Sequence, residues 1–414
     1  MAVLPNNNAQ RPKRVLLVTD AFLNLASGAR VAHQIARILL DAGISVTVLD
    51  HGVSGNMPED LRSAHDLEIV RWRKRTFPAM FHIIPDDDTR HFAKILDDLK
   101  PDVVHLCSFN YGKPRFLVSE TKKRGIRVVT QYFRYDLYCG RDGYDALEGR
   151  PCGKCNGGRT WSAFRYGCGR TATRPVEVIS RYLIWKQTNP LVDAALSTCT
   201  HMDDVLIQAG LSPDRIVRCP LPYDASQLEG LQAVDGDHFF FSGAFSEAKG
   251  AHLLEPVIEA VGDARFVLLL LTSASDQQRY DEFRNQMISR YGHRLVVNDK
   301  MRWDTGGSEF ARTCRGALQP TVWPSSTEYT LLEMLGLAKP IVAFNVGVHK
   351  DYLVHQKNAM VYEIGDLEGF IEGIIQINRD SELRQSLSIG ARELFERMVD
   401  NDVVRNALLK AYDF

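Results

Sequence analysis

The stretch RVLLVTDAFLNLASGARVAHQIARILLDAGISVTVLD, Arg14–Asp50, decides the fold. Its first seven residues, Arg14–Asp20, form a short apolar run with β-branched residues, the pattern of a buried strand. The small-residue turn Ala26-Ser27-Gly28-Ala29 leads into a segment that sets Val31, Ile35, Ile38 and Leu39 on one helical face and closes at Gly43. Ile44–Asp50 is a second strand. Strand, glycine turn, helix and strand within about 35 residues make a βαβ unit, which implies a parallel sheet with helices on both faces.

The rhythm continues outward. Asp88–Leu99 reads as a helix, Pro101–Cys107 and Ile126–Tyr132 as buried strands, Val192–Thr200 as a strand, and His201–Gly210 as a helix before RIVRCPLPYD (Arg215–Asp224). A Gly-, Arg- and Cys-rich stretch interrupts it. Polar residues from Ala225 to Asp237 make a linker, and a second α/β series follows: HFFFSGAF, a helix from about Gly250, RFVLLLLT, helices Gln277–Tyr291 and Tyr329–Leu337, and PIVAFNV. The expected architecture is two Rossmann-like, doubly wound α/β domains facing a cleft. They span 1–224, with a Cys-rich insertion at 139–174, and 237–395; a C-terminal helix, 396–414, packs back on the first. Ligands in such sheets bind beyond the carboxyl ends of the strands.

At 414 residues, 45% hydrophobic and 24% charged, the chain is ordinary globular protein of two sizeable domains. Lys+Arg 50 against Asp+Glu 51 leaves a charge of -1, so no global basic field marks a nucleic-acid binder. No apolar run reaches about 18 residues, and Met1–Arg14 lacks the apolar core of a signal peptide. A cytoplasmic protein is expected.

Three features should meet at the cleft. In SGAFSEAKGAHLLEPV, a strand ends near Gly243 and Lys249-Gly250 stands where a helix begins, an arrangement suited to phosphate or diphosphate. In Pro324–Glu333, Glu328 lies in a turn and Glu333 one turn into a helix, so both carboxylates can face the cleft and accept from vicinal sugar hydroxyls. In KPIVAFNVGVHKDYL, a strand ends at Asn345-Val346-Gly347, and Gly347 permits close backbone approach.

The order of these pieces resembles the GT-B-fold glycosyltransferases of the large retaining group 1 family. The match rests on Gly243, Lys249, Gly250, Pro324, Ser325, Glu328, Glu333, Lys339, Pro340, Gly347, Asp351 and Asn358, with the Gly28 turn and PDVVHLC in the first half. Departures are Ala244 where the family has arginine, Val348 for a second glycine, a shorter spacing between the two glutamates, and Tyr132 where many relatives carry histidine. The resemblance implies transfer of a hexose from a nucleoside-diphosphate sugar to a hydroxyl, with retention, in polysaccharide or glycolipid assembly. It assigns Lys249 to the diphosphate, Glu333 to the ribose, Glu328 to the donor sugar beside Lys249 as catalytic residue, and Gly28, Gly243, Tyr329, Thr330 and Gly347 to the nucleotide sugar. The acceptor is a sugar, a lipid-linked sugar or a small molecule, and catalysis requires no metal. A Rossmann oxidoreductase is disfavoured because the first turn lacks G-x-G-x-x-G. The alternative is a catalytically inactive sugar- or nucleic-acid-binding protein with a metal-stabilised cysteine module.

Cys139, Cys152, Cys155 and Cys168 form a symmetric array, a central C-x-x-C with a cysteine thirteen residues away on each side, which suits a structural zinc. An iron–sulfur cluster, unligated thiols and disulfides are the alternatives. Cys107, Cys199, Cys219 and Cys314 read as core. Asp86-Asp87-Asp88 reads as a helix cap. Basic residues interleaved with Trp161, Phe164 and Tyr166, and the run Arg71-Trp72-Arg73-Lys74-Arg75, suggest surfaces for anionic head groups, hence peripheral contact at the inner membrane face; nucleic acid is disfavoured.

Overall fold

The computed structural model describes residues 13–19, 22, 27–50, 59–72, 87–109, 115–139, 141, 143–145, 150–155, 160–168 and 174–414. In the N-terminal half, β1 (Arg14–Thr19), α1 (Ser27–Asp41) and β2 (Ser45–Asp50) form the expected βαβ unit. Next come α2 (Glu59–Arg62), β3 (Leu67–Arg71), α3 (Asp87–Leu99), β4 (Val103–Leu106), α4 (Phe116–Lys123) and β5 (Arg127–Gln131). A hairpin of β6 (Tyr144–Asp145) and β7 (Arg150–Pro151) precedes α5 (Ser162–Arg165) and α6 (Arg174–Thr188). The half closes with β8 (Ala194–Ser197), α7 (Thr200–Gln208) and β9 (Ile216–Arg218). Its seven strands lie in the order β3-β2-β1-β4-β5-β8-β9, all parallel. β1, β4 and β8 are buried along nearly their whole length, because helices cover both faces.

The second half repeats the plan. β10 (His238–Ala244), α8 (Leu254–Ala260), β11 (Arg265–Leu271), α9 (Gln277–Tyr291), β12 (Leu295–Asn298), α10 (Gly307–Arg312), β13 (Gly316–Gln319), α11 (Tyr329–Gly336), β14 (Ile341–Phe344), α12 (Val348–Tyr352) and β15 (Met360–Tyr362) alternate along the chain. The sheet order is β12-β11-β10-β13-β14-β15. In each sheet the strand order reverses beside the first strand, between β1 and β4 and between β10 and β13, which opens a crevice at the strands' carboxyl ends. Helices α13 (Leu367–Arg379), α14 (Ser381–Met398) and α15 (Asn401–Tyr412) end the chain. α15 lies against α1, β5, β8 and β9; Arg127 Nε donates to Ala411 O at 2.7 Å, and the Tyr412 hydroxyl meets His105 Nδ1 at 2.7 Å.

Trp72 is not the surface residue its basic neighbours suggest. It is buried at 5% exposure, stacked on Phe92 at 5.8 Å and tilted against Phe116 at 5.6 Å, because the chain turns inward where β3 ends. Arg73, Lys74 and Arg75 lie outside the described residues, as does Asp86; Asp87 and Asp88 occupy the first turn of α3, where carboxylates favour the helix dipole.

Candidate functional site

The chain leaves β10 at Ala244 and turns at once. Ser246 caps a 3₁₀ turn, Glu247–Lys249, and Gly250 follows in the left-handed region at φ 77°. A Cβ there would stand 2.1 Å from Pro320 O, so only glycine lets this turn lie against the exit of β13. The next helical run starts at Ala251 as another 3₁₀ turn and becomes α8 at Leu254. Lys249 therefore stands at the end of a short turn, two residues before that run, and its orientation is set by Gly250.

Lys249 Nζ meets Glu328 Oε1 at 2.5 Å and lies 5.4 Å from the Trp323 ring centroid. Glu328 immediately precedes α11, and its carboxylate is 4% exposed. Its other oxygen, Oε2, is 2.8 Å from His349 Nε2, while His349 Nδ1 is 3.0 Å from Phe344 O. Burial alone would raise the Glu328 pKa, but the charges and hydrogen bonds of Lys249 and His349 overcome it and hold the carboxyl well below the usual range. Both His349 nitrogens thus face groups that can only accept, a carboxylate on one side and a peptide carbonyl on the other. Glu328 is the shared partner of a lysine and a buried histidine beside the cleft. Glu328 also lines a small pocket with Thr198 and Leu221 of the first half and Val348 of the second.

This geometry has a pH signature. A carboxyl whose folded-state pKa is depressed contributes stability in full above its unfolded value, and that contribution is lost as pH falls from there towards the folded value. Acid unfolding of wild type should therefore steepen below about pH 4.5, near the unperturbed glutamate value, and Glu328→Gln should flatten that limb in urea melts taken as a function of pH.

The second carboxylate meets a cation from the other half. Glu333 Oε1 lies 3.3 Å from Arg30 Nη1, and the Arg30 guanidinium sits 4.2 Å from the Tyr329 ring centroid and also donates to Gln227. Burial raises the Glu333 pKa, and Arg30 offsets this only in part. Thr330 Oγ1 donates to Ser242 O at 3.4 Å, and Tyr329 OH to Pro222 O at 3.4 Å. Gly28 falls in the first turn of α1, with Arg30, and Gly243 is the penultimate residue of β10. Lys249, Glu328, Tyr329, Thr330 and Glu333 are thus gathered where the two sheets' carboxyl ends face each other.

Gly347 differs from its expected use. At φ 54° and ψ -128° it turns the chain into α12, and the group that approaches it is the protein's own backbone: a Cβ would lie 2.3 Å from Ser325 O. Val348 N donates to the same oxygen at 2.8 Å. The loop thus clamped is tied to the first half, where Tyr135 OH donates to Pro324 O at 2.6 Å, Thr198 Oγ1 to Ser326 O at 2.5 Å, and Ser326 Oγ to Phe133 O at 2.7 Å. Asp351 Oδ2 accepts from Thr200 N at 2.6 Å and Arg218 Nη1 at 2.7 Å. Tyr132 is fully buried, and burial pushes its phenol up to about 12. Arg30, His349 and the Tyr135 contact escape sequence reasoning. The only local hint was the position of His349, two residues after a glycine.

The four clustered cysteines come partly together. The β6–β7 hairpin sets Cys152 N on Gly143 O at 2.7 Å. The Cys155 thiol donates to the Cys139 sulfur; that bond, with the backbone N–H groups of Gly143 and Arg141, outweighs burial and lowers Cys139, while the same contact and burial push Cys155 up. Cys152 and Cys168 lie within electrostatic reach of Cys155. Among the described residues, however, no group of three or more His, Cys, Asp or Glu side chains is disposed to hold a metal. Cys107, Cys199, Cys219 and Cys314 are buried.

Two parallel α/β domains with their strand ends turned to a common cleft define the GT-B architecture. Solved structures that share it over nearly the whole chain include HepE of Anabaena in complex with UDP, with a TM-score of 0.68 at 12% identity, covering 97% of this chain and 99% of that one. A glycosyltransferase of Rickettsia africae gives 0.70 at 13%, covering 97% and 98%. The sucrose-phosphate synthase of Thermosynechococcus elongatus gives 0.68 at 11%, covering 97% and 98%. At these identities the likeness is one of fold. No protein-family model and no curated protein matches the sequence.

Proposed function

We propose that the protein is a glycosyltransferase that moves a hexose from a nucleoside-diphosphate sugar to an acceptor hydroxyl, with retention, in polysaccharide or glycolipid assembly. The observation that carries this reading is Lys249 held by the buried Glu328–His349 pair beside a GT-B cleft. A departing nucleoside diphosphate needs fixed positive charge, and charge already aimed before the reaction costs little reorganisation. Structures of the similarly folded HepE hold UDP, UDP with glucose, or UDP-glucose, which supports a nucleotide-sugar donor here.

In this reading Lys249 binds the diphosphate and Glu328 serves first as the buried anchor that aims it. Glu333 accepts from the ribose hydroxyls, and Arg30, which holds Glu333 in the structure, either shares it or swings to the phosphates where Ala244 offers no charge. Lys249→Ala and Glu333→Ala should each weaken nucleoside-diphosphate binding by about 1–3 kcal/mol, read by calorimetric titration; unchanged affinity and turnover in both would remove the site assignment.

The cysteine module belongs to the same proposal as a structural zinc site, with Cys152 and Cys168 closing on the Cys139–Cys155 contact. Elemental analysis of purified protein should then find one zinc per chain, released together with the appearance of four alkylatable thiols. Protein without metal and with all four thiols already reactive would eliminate the site.

A further inference from the structure

The α5–α6 face carries a surface that the transferase reading leaves unused. Trp161 is 54% exposed, Phe164 41%, Tyr166 40%, and Val176 and Ile179 44% each. They are five of the fourteen large hydrophobic side chains exposed among the described residues and include three of the four exposed aromatics, so this is a patch and not ordinary scatter. Trp161 and Phe164 stack with ring centroids 5.8 Å apart. Val176 and Ile179 follow at helical spacing on α6, and α5 packs beside α6. Cations are interleaved: Lys154 Nζ sits 4.2 Å from the Tyr166 ring centroid, the Arg165 guanidinium 5.8 Å, and Lys186 is exposed at the end of α6. Between Arg150 and Lys186 the sequence has eight basic residues and one acidic, Glu177.

Aromatic bodies with wet edges suit the boundary between acyl chains and head groups, and lysine or arginine beside them suits anionic head groups. The core of a protein–protein interface is instead depleted in lysine. We infer that the α5–α6 face docks on the surface of an anionic lipid bilayer, with Trp161 and Phe164 entering the head-group layer and Lys154, Arg165 and Lys186 meeting its phosphates. The contact is peripheral, for no described helix is long and apolar enough to cross a membrane. Docking puts the protein at the surface where a lipid-borne acceptor would arrive; that step rests on the transferase reading, whereas docking does not.

The test uses the full chain with vesicles of phosphatidylcholine alone or with about a third phosphatidylglycerol. Co-sedimentation is expected with the anionic vesicles only, weakened at about 0.5 M salt. Trp161, the one exposed tryptophan of the five, should give a blue-shifted emission on binding. The double variant Trp161→Ala/Phe164→Ala should lower partitioning at least about tenfold with an unchanged thermal melt, and Lys154→Glu/Arg165→Glu should lower it as well. Absence of binding to anionic vesicles, or equal binding by the variants, overturns the inference. So does self-association in ultracentrifugation, or binding of homopolymer RNA, that these variants abolish while vesicles stay unbound. Nucleotide titration of the double variant, expected to match wild type, separates failure of docking from failure of the transferase reading.

Discussion

Replacing Glu328 by alanine is expected to destabilise the protein by about 3–5 kcal/mol, the usual consequence of leaving buried charge unpaired. The carboxylate is 4% exposed and is the shared partner of Lys249 and of the fully buried His349. Without it, Lys249 loses its counter-charge and the buried His349 loses the acceptor facing its Nε2. Lys249 is partly exposed and can turn to water, so most of the loss falls on His349. Glu328→Gln keeps the shape and should cost less. His349→Gln retains a donor towards Glu328 but loses the ring's second contact, to Phe344 O, so it too should cost less than Glu328→Ala. Urea unfolding of the three variants reads these effects. A Glu328→Ala protein within about 1 kcal/mol of wild type, less than the usual cost of a buried unpaired group, would mean that the cluster is not charged as assigned.

Gly347→Ala is the other large effect, expected at about 3–5 kcal/mol from backbone strain and overpacking together. The residue sits at φ 54°, and the added methyl would stand 2.3 Å from Ser325 O and 2.6 Å from the Pro324 carbonyl carbon. Neither atom belongs to a flexible side chain, so relief must come from moving the loop that Tyr135, Thr198 and Phe133 hold from the first half. The same substitution at Gly43 is a fair control. Its φ is 72° but nothing lies within 4 Å of a Cβ, so conformational strain of about 1–2 kcal/mol is the whole cost. Equal midpoints for the two variants in denaturant unfolding would show that the Pro324–Ser325 contact is soft.

How far the fold was legible follows from local physics. β1, α1 and β2 were readable because buried parallel strands and an amphipathic helix leave strong, short-range patterns. β3 was not read: Leu67–Arg71 is a half-buried edge strand whose alternation is weak. β15 is three residues long, too short for any period. Trp72 was misplaced because its neighbours in sequence are cations while its neighbours in space are Phe92 and Phe116.

The site divides in the same way. Lys249 was legible because the glycine after it fixes a left-handed turn at a strand exit. Glu328 and Glu333 stood out as acids flanking a helix start. Arg30 pairs with Glu333 across 303 positions of sequence, and no local rule encodes such a pair. His349 was hidden because its role depends on Glu328, reached only once α12 packs beside the Pro324–Glu328 loop.

The central claim is that the Lys249 cluster grips the diphosphate of an activated sugar, and calorimetric titration with a panel of nucleoside diphosphates tests it most directly. Wild type should bind at least one of them, and Lys249→Ala should raise its Kd by about tenfold to a hundredfold, as loss of a charged hydrogen bond does. A wild-type protein that binds none of them, or a Lys249→Ala variant that binds as tightly, would contradict the account.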